Sequence, residues 1–193
     1  DGKLQPQSVT TYGFDDFVAD GVSEPIRQHQ PEDMVLLLSD LQCGLRTDTF
    51  NTDVLAERLD KMSDGLLRML DIHSVDRHIP TLWMACGGDF VEGEPYTRRI
   101  GLAEIDAPGR RVMDALDKKR LVQDLLVEKL NLWCREFETV QLVGLGGNHG
   151  RGRGKDASAR SNDDIEVYLS ACDRMANVRN FVGGVATDHF YQI

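Results

Sequence analysis

Four side chains in three widely separated parts of this sequence are of the types that bind metal ions and transfer protons. Two are carboxylates, one is an amide and one is an imidazole: Asp40, Asp89, Asn148 and His149. Oxygen ligands suit hard cations such as Mg²⁺ or Mn²⁺, and an added imidazole suits Mn²⁺, Fe or Zn²⁺. Taken singly, each is more often a helix cap, a turn former or a surface residue. The prediction of a metal site therefore depends on whether the fold brings them together.

The elements that must position these side chains follow from hydrophobic patterning. Continuous apolar runs predict strands at 34–39, 81–86 and 139–144. Apolar residues spaced by three and four predict helices over 51–72, with Asn51 as N-cap, and over about 110–137. A shorter helix over 163–175 and strands at 178–182 and 190–193 complete the pattern. The alternation of strand and helix predicts an α/β fold with a sheet that is largely parallel at first.

Each of the first three predicted strands ends in a polar signature. These are Ser-Asp-Leu-Gln at 39–42, Gly-Asp at 88–89 and Gly-Asn-His at 147–149. In open α/β sheets, ligands bind beyond the carboxyl ends of the strands, so residues there converge although they are far apart in sequence. We therefore expect the two carboxylates, the amide and the imidazole to meet in one crevice.

The ordered signatures Asp-Leu-Gln at 40–42, Gly-Asp at 88–89 and Gly-Asn-His at 147–149 resemble those of the calcineurin-like metallophosphoesterase family. The family's motifs run D-x-H, G-D and G-N-H. The longer strings at 88–93 and 147–151 are similar to phage and prokaryotic members related to DNA-repair exonucleases. The resemblance covers residues 34 to about 180. It implies a sandwich of αββα layers, of which this chain supplies the N-terminal part.

The resemblance also implies a role for each residue. Asp40 and Gln42 would bind a first metal ion, Asp89 would bridge two metal ions, and Asn148 would bind the second. His149 would stabilise charge at the scissile phosphate or protonate the leaving oxygen, which makes His149 and Asp89 the catalytic pair. Two divalent ions, most of all Mn²⁺ with Mg²⁺, Fe or Zn²⁺ as alternatives, would activate a hydroxide for attack on a phosphoester.

The sequence departs from the family pattern in two places. Gln42 stands where the family has histidine, so it is either an oxygen ligand or only a loop residue. The family's later histidine segments are not found, and His189, the only histidine after His149, is expected to be structural. We therefore expect a domain over 34–193 that is incomplete at its C-terminus, preceded by an extension over 1–33. A complementary segment or subunit would supply the remaining histidine ligands.

A glycine-rich cationic loop follows His149 directly. Its Arg151, Arg153 and Lys155 are candidates to contact phosphates of a substrate, including the backbone of DNA. The alternative is a solvated loop balanced by nearby acids. The net charge of -10 means that nucleic acid would have to be held by such a local patch rather than by overall charge.

Together these features predict a metal-dependent hydrolase of phosphoester bonds, foremost a phosphodiesterase or nuclease. A phosphatase of small esters or phosphoproteins, and a degenerate non-catalytic member that binds metal or nucleic acid, are the alternatives. The composition, 41% hydrophobic and 28% charged, is typical of a soluble globular protein. No apolar run approaches the roughly 20 residues of a membrane span, and the scattered cysteines favour a cytoplasmic location.

Overall fold

The computed structural model of the protein describes residues 31–92, 115–150 and 162–186. The predicted strand at 190–193, the cationic segment 151–160 and residues 1–30 of the predicted N-terminal extension lie outside these ranges. The elements, in chain order, are β1 Asp33–Leu38, α1 Thr52–His73, β2 Thr81–Cys86, α2 Ala115–Glu136, β3 Thr139–Leu145, α3 Asp163–Met175 and β4 Phe181–Ala186. The described residues thus form an α/β fold of four strands and three helices, as the alternation predicts.

The four strands form one parallel sheet in the order β1-β2-β3-β4. The register places Leu38 opposite Cys86, Cys86 opposite Gly144, and Gly144 opposite Val185. The carboxyl ends of the strands are therefore level with one another. The three polar signatures leave the sheet side by side, and this confirms the predicted convergence at one edge.

The cap and the buried side of α1 are those that its sequence predicts. Asn51 caps α1, because its side chain accepts hydrogen bonds from the N–H groups of Asp53 and Val54. The buried side of α1 carries Leu55, Leu59, Leu66 and Leu70, spaced by four and seven. In α2 the buried side is formed by Val122, Leu126, Val127, Leu130 and Trp133.

Two details of the predicted elements are wrong. The last strand begins at Phe181 rather than at residue 178, because residues 176–180 form a turn in which the N–H of Phe181 donates to the carbonyl of Val178. The amphipathic pattern over about 110–137 also predicts Leu116 on the apolar side of α2, but this side chain is 51% exposed. It lies in the first turn of the helix, before the stretch that packs against α1 and the sheet.

Only one face of the sheet is well covered in the described part of the chain. Side chains alternate along β2, where Leu82, Met84 and Cys86 are buried in the core beneath the helices. On the opposite face Val35 and Leu37 of β1 are 60% and 78% exposed. Connections between neighbouring parallel strands are right-handed. Because each strand in the order β1-β2-β3-β4 is added on the same side of the previous one, all three connecting helices lie on the same face of the sheet.

None of the three described helices is long and apolar enough to span a membrane.

Candidate functional site

The segments that follow β1 and β2 continue side by side beyond the sheet. The N–H of Asp40 donates to the carbonyl of Gly88 at 3.1 Å, and the N–H of Gln42 donates to the carbonyl of Asp89 at 2.9 Å. Cys43 then pairs with Val91 in an isolated parallel bridge. The first two polar signatures are therefore joined through their main chains.

Three of the predicted ligands have a left-handed backbone. Asp40, Gln42 and Asp89 have φ values of 56°, 45° and 56°, and they are the only non-glycine residues with positive φ in the described ranges. For an L-residue this conformation costs about 1 kcal/mol or more, and such residues cluster at functional sites. These residues bend the chain just after β1 and β2, where the sequence predicts the metal site.

The end of β3 is joined to the same point. The N–H of His149 donates to Oδ1 of Asp89 at 2.8 Å. Gly147 lies so close to Asp89 that a Cβ added at Gly147 would overlap with that carboxylate oxygen. Glycine is therefore required at this position by close approach, and the hydrogen bond fixes the orientation of the Asp89 carboxylate.

Glu92 contacts His149 and was not identified from the sequence. Its carboxylate is buried, and its Oε2 lies 2.9 Å from Nδ1 of His149. An ionised carboxylate only accepts hydrogen bonds, so a hydrogen bond between the two groups requires the hydrogen on Nδ1 of His149. Glu92 lies three residues after Asp89, in the turn that follows β2, and nothing in the local sequence distinguishes it from a solvated carboxylate.

A buried lysine of α2 lies beneath these turns. Lys118 is 6% exposed, and its Nζ donates to the main-chain carbonyl of Glu92 at 3.1 Å. The thiol of Cys43 donates to the carbonyl of Lys118 at 3.6 Å. Burial raises the pKa of the Cys43 thiol to about 11, although the Lys118 charge opposes the shift. The start of α2 is thereby attached to the turns that follow β1 and β2.

Asp164, in the first turn of α3, is a second residue that the sequence did not single out. It is completely buried and accepts hydrogen bonds from four main-chain N–H groups of the turns after β2 and β3. Burial raises the pKa of Asp164, while the four N–H donors oppose that shift. A carboxylate in an acidic helix start usually serves only the helix itself, so its sequence position gave no sign of these contacts.

The predicted site residues differ in exposure. Asp40 is exposed and accepts a hydrogen bond from the hydroxyl of Ser39 at 2.7 Å. Gln42, Asp89 and His149 are partly buried, and Asn148 is exposed in the turn between β3 and α3. The structure thus brings the main chains of these residues together.

Within the described residues no group of three His, Cys, Asp or Glu side chains is placed to hold a metal ion. The predicted donor set instead combines the two carboxylates Asp40 and Asp89 with the side-chain amides of Gln42 and Asn148. Such an oxygen-rich set fits the preferences of Mg²⁺ and Mn²⁺. Whether these residues bind metal stays a prediction, as does a phosphate contact by Arg151, Arg153 and Lys155, which lie outside the described residues.

Comparisons with protein-family models, with curated proteins and with solved structures give no match.

Proposed function

We propose that the protein is a metal-dependent hydrolase of phosphoester bonds that acts as a phosphodiesterase or nuclease. The observation that carries the proposal is the joining of three strand ends by hydrogen bonds to the residues Gly88 and Asp89. Asp40, Gln42 and His149, predicted from separate parts of the sequence, each contribute an N–H to this junction. Asp40, Gln42 and Asp89 have left-handed backbone conformations. Because such residues cluster at functional sites, these conformations support a functional reason for the junction.

Two divalent ions, with Mn²⁺ the leading candidate, would be held by the oxygens of this edge. Asp40 and Gln42 would hold one, Asn148 would hold the other, and Asp89 would bridge them. When bound, such ions supply a nucleophile from water at neutral pH and neutralise the charge of phosphoryl oxygens.

The chain's own groups would orient the reactants and move the proton. Asp89 is held by the main-chain N–H of His149, which fixes the direction of its carboxylate. Glu92 holds the imidazole of His149 through Nδ1, so that Nε2 can donate a proton to the leaving oxygen or stabilise negative charge on the phosphate. This assignment gives Glu92 the role of orienting the proposed general acid.

A nucleic-acid substrate is supported by the position of the cationic segment. The N–H of Asp163 donates to the carbonyl of Gly150 at 2.7 Å, so residues that flank segment 151–161 are held together directly after His149 in the chain. Arg151, Arg153 and Lys155 belong to that segment. Phosphate contacts by such residues position a nucleic-acid backbone without reading its sequence.

We further propose that the fold is an αββα sandwich in which a complementary segment or subunit covers the open face of the sheet and supplies further histidine ligands. Parallel sheets have both faces covered in nearly all known cases. The exposed face carries Val35, Leu37, Val143 and Val182, with exposed fractions of 60%, 78%, 41% and 54%. Aliphatic side chains in such a row are a surface that a second layer of polypeptide would bury.

The proposal is tested by turnover of bis-p-nitrophenyl phosphate and by cleavage of single- and double-stranded DNA, each with Mn²⁺. We expect His149→Ala to remove most turnover with folding intact, and Asp89→Asn to remove Mn²⁺ binding as well. His78→Ala is the matched control, because His78 is exposed and precedes β2 at the opposite edge of the sheet. Parental rates for His149→Ala would refute the assignment.

A non-catalytic role is the second candidate, because Gln42 stands where the family has histidine. In that case calorimetry with Mn²⁺ would show no binding by the parent protein, and DNA binding would persist without cleavage. Hydrolysis of p-nitrophenyl phosphate in preference to the diester would instead indicate a phosphatase.

A further inference from the structure

Asp164 uses its two carboxylate oxygens on two different turns. Oδ2 accepts from the N–H of Asp89 at 2.9 Å and from the N–H of Gly147 at 3.0 Å, so one oxygen joins the ends of β2 and β3. Oδ1 accepts from the N–H groups of Phe90 at 2.9 Å and Val91 at 3.2 Å. The same carboxylate therefore holds the whole turn that leads from Asp89 to the buried Glu92.

Asn162 completes the attachment from the cap position of α3. It is 1% exposed, and its Nδ2 donates to the carbonyl of Gly147 at 2.7 Å. Its Oδ1 accepts from the N–H of Asp164 at 2.9 Å. Gly147 is thus held at its N–H by Asp164 and at its carbonyl by Asn162, two residues before His149.

A fully buried carboxylate is costly unless its charge is compensated. Here the compensation comes from four N–H dipoles and from the N-terminus of α3, both of which favour negative charge. A helix start could be satisfied with Asp164 exposed to water, as acidic residues in first turns commonly are. The fold instead places this charge at the junction of the two turns.

We propose that Asp164, together with Asn162, is a positioning residue that sets the geometry between Asp89 and His149 for metal binding. The proposal rests on the proposed function of this site. Asp164 need not touch metal or substrate, because it acts through the main chain of the residues that do. Supporting groups of this kind typically change metal affinity by about 10- to 100-fold when they are altered.

The principal test is Asp164→Asn, which keeps the shape of the side chain. The asparagine amide has one oxygen, which accepts, and one NH₂ group, which donates. In either orientation of the amide, the NH₂ group faces two of the four N–H donors, and those two hydrogen bonds are lost. We expect Mn²⁺ affinity, measured by calorimetry below the unfolding temperature, to fall by about 10- to 100-fold. We also expect faster amide hydrogen exchange at residues 89–91 and 147.

Asn162→Ser is a second variant that separates positioning from stability. Serine is as good an N-cap as asparagine, so the helix start is preserved, but its short hydroxyl loses the amide donor to Gly147. We expect weaker Mn²⁺ binding with little change in Tm. This variant also tests the proposal if Asp164→Asn fails to fold.

Asn180→Ala is the matched control. Asn180 is a comparable attachment at the opposite edge of the sheet, where its Nδ2 donates to the carbonyls of Cys134 and Phe137 at 2.8 and 2.9 Å. We expect its loss to lower Tm while Mn²⁺ affinity of the folded protein stays at the parental value.

The outcomes distinguish this inference from the proposed function. If the parent protein binds Mn²⁺ and both Asp164→Asn and Asn162→Ser bind it equally well, the positioning role is refuted and the metal site stands. Equal weakening by Asn180→Ala would also refute it, since general destabilisation would then be the cause. If the parent binds no Mn²⁺, the proposed function fails, and the positioning role fails with it.

Discussion

The contact between Glu92 and His149 gives a graded prediction. Glu92→Gln keeps a side-chain oxygen near Nδ1 of His149 but removes the charge, whereas Glu92→Ala removes the partner altogether. The Oε2–Nδ1 distance is 2.9 Å and the carboxylate is only 2% exposed, so water screens this contact poorly. Both variants should therefore reduce turnover, with alanine the more severe.

The magnitudes follow from the strength of the bond. A hydrogen bond to a charged group contributes about 1.5–3 kcal/mol and a neutral one about 0.5–1.5 kcal/mol. At about 1.4 kcal/mol for each tenfold change in rate, loss of the charge alone corresponds to the difference between these two values, and we expect kcat to fall about 5- to 12-fold in Glu92→Gln. Loss of the whole bond should lower kcat about 12- to 140-fold in Glu92→Ala.

The assay is hydrolysis of bis-p-nitrophenyl phosphate at saturating Mn²⁺, with kcat and KM measured separately. Glu57→Gln is the control, because Glu57 is an exposed glutamate of α1 paired with Lys61 at 2.6 Å. A Glu92→Ala protein with the parental kcat would show that Glu92 does not orient a catalytic imidazole. A loss confined to Mn²⁺ affinity would refute the same reasoning, because it would place the effect on metal binding.

Three further predictions concern stability and reactivity. Asn51→Ala removes the cap of α1 and should lower the free energy of unfolding by about 1 kcal/mol in urea titrations, whereas Asn51→Ser should change it little. Trp133→Phe leaves the buried hydroxyl of Ser63 without the indole N–H that donates to it at 2.9 Å, and should lower the free energy of unfolding by about 1–3 kcal/mol. A double variant, Trp133→Phe with Ser63→Ala, should recover part of this loss, and a double variant that recovers none of it would contradict the prediction. The pKa of Cys43, raised from 9.0 to about 11, means that the unfolded chain loses this proton first. The Cys43 contribution to stability should therefore be complete below pH 9 and decline toward pH 11, and a Cys43→Ala protein with an unchanged pH profile of unfolding over that range would refute it.

The sequence predicts the elements well where the local pattern and the tertiary environment agree. Strand 81–86 and helix 163–175 have the predicted bounds. An unbroken apolar run is sufficient to locate the strand, and an amphipathic period is sufficient to locate the helix. The last strand was placed too early because Gly183 and Gly184 look like turn residues. They lie inside β4, where Gly183 admits the close approach of Cys172 from α3.

The site was predictable only in part, for a different reason. Residues at strand ends could be brought to one edge by topology alone, since parallel strands align their carboxyl ends. Glu92 and Asp164 act through contacts that cross 57 and 75 positions of sequence. No local period marks such contacts, and in an acidic chain neither residue differs visibly from a solvated carboxylate.

The hydrogen bond between Gly150 and Asp163 has a consequence for how this protein can vary. It joins Gly150, which follows His149, to Asp163 of α3, and these two residues flank segment 151–161 without belonging to it. Once the ends of a segment are fixed, each doubling of its length costs only about 0.6 kcal/mol of closure entropy. Insertions, deletions or whole replacements there would leave the joined strand ends in place. Segment 151–161 is therefore a part of the chain that can be exchanged by grafting without rebuilding the junction of β1, β2 and β3.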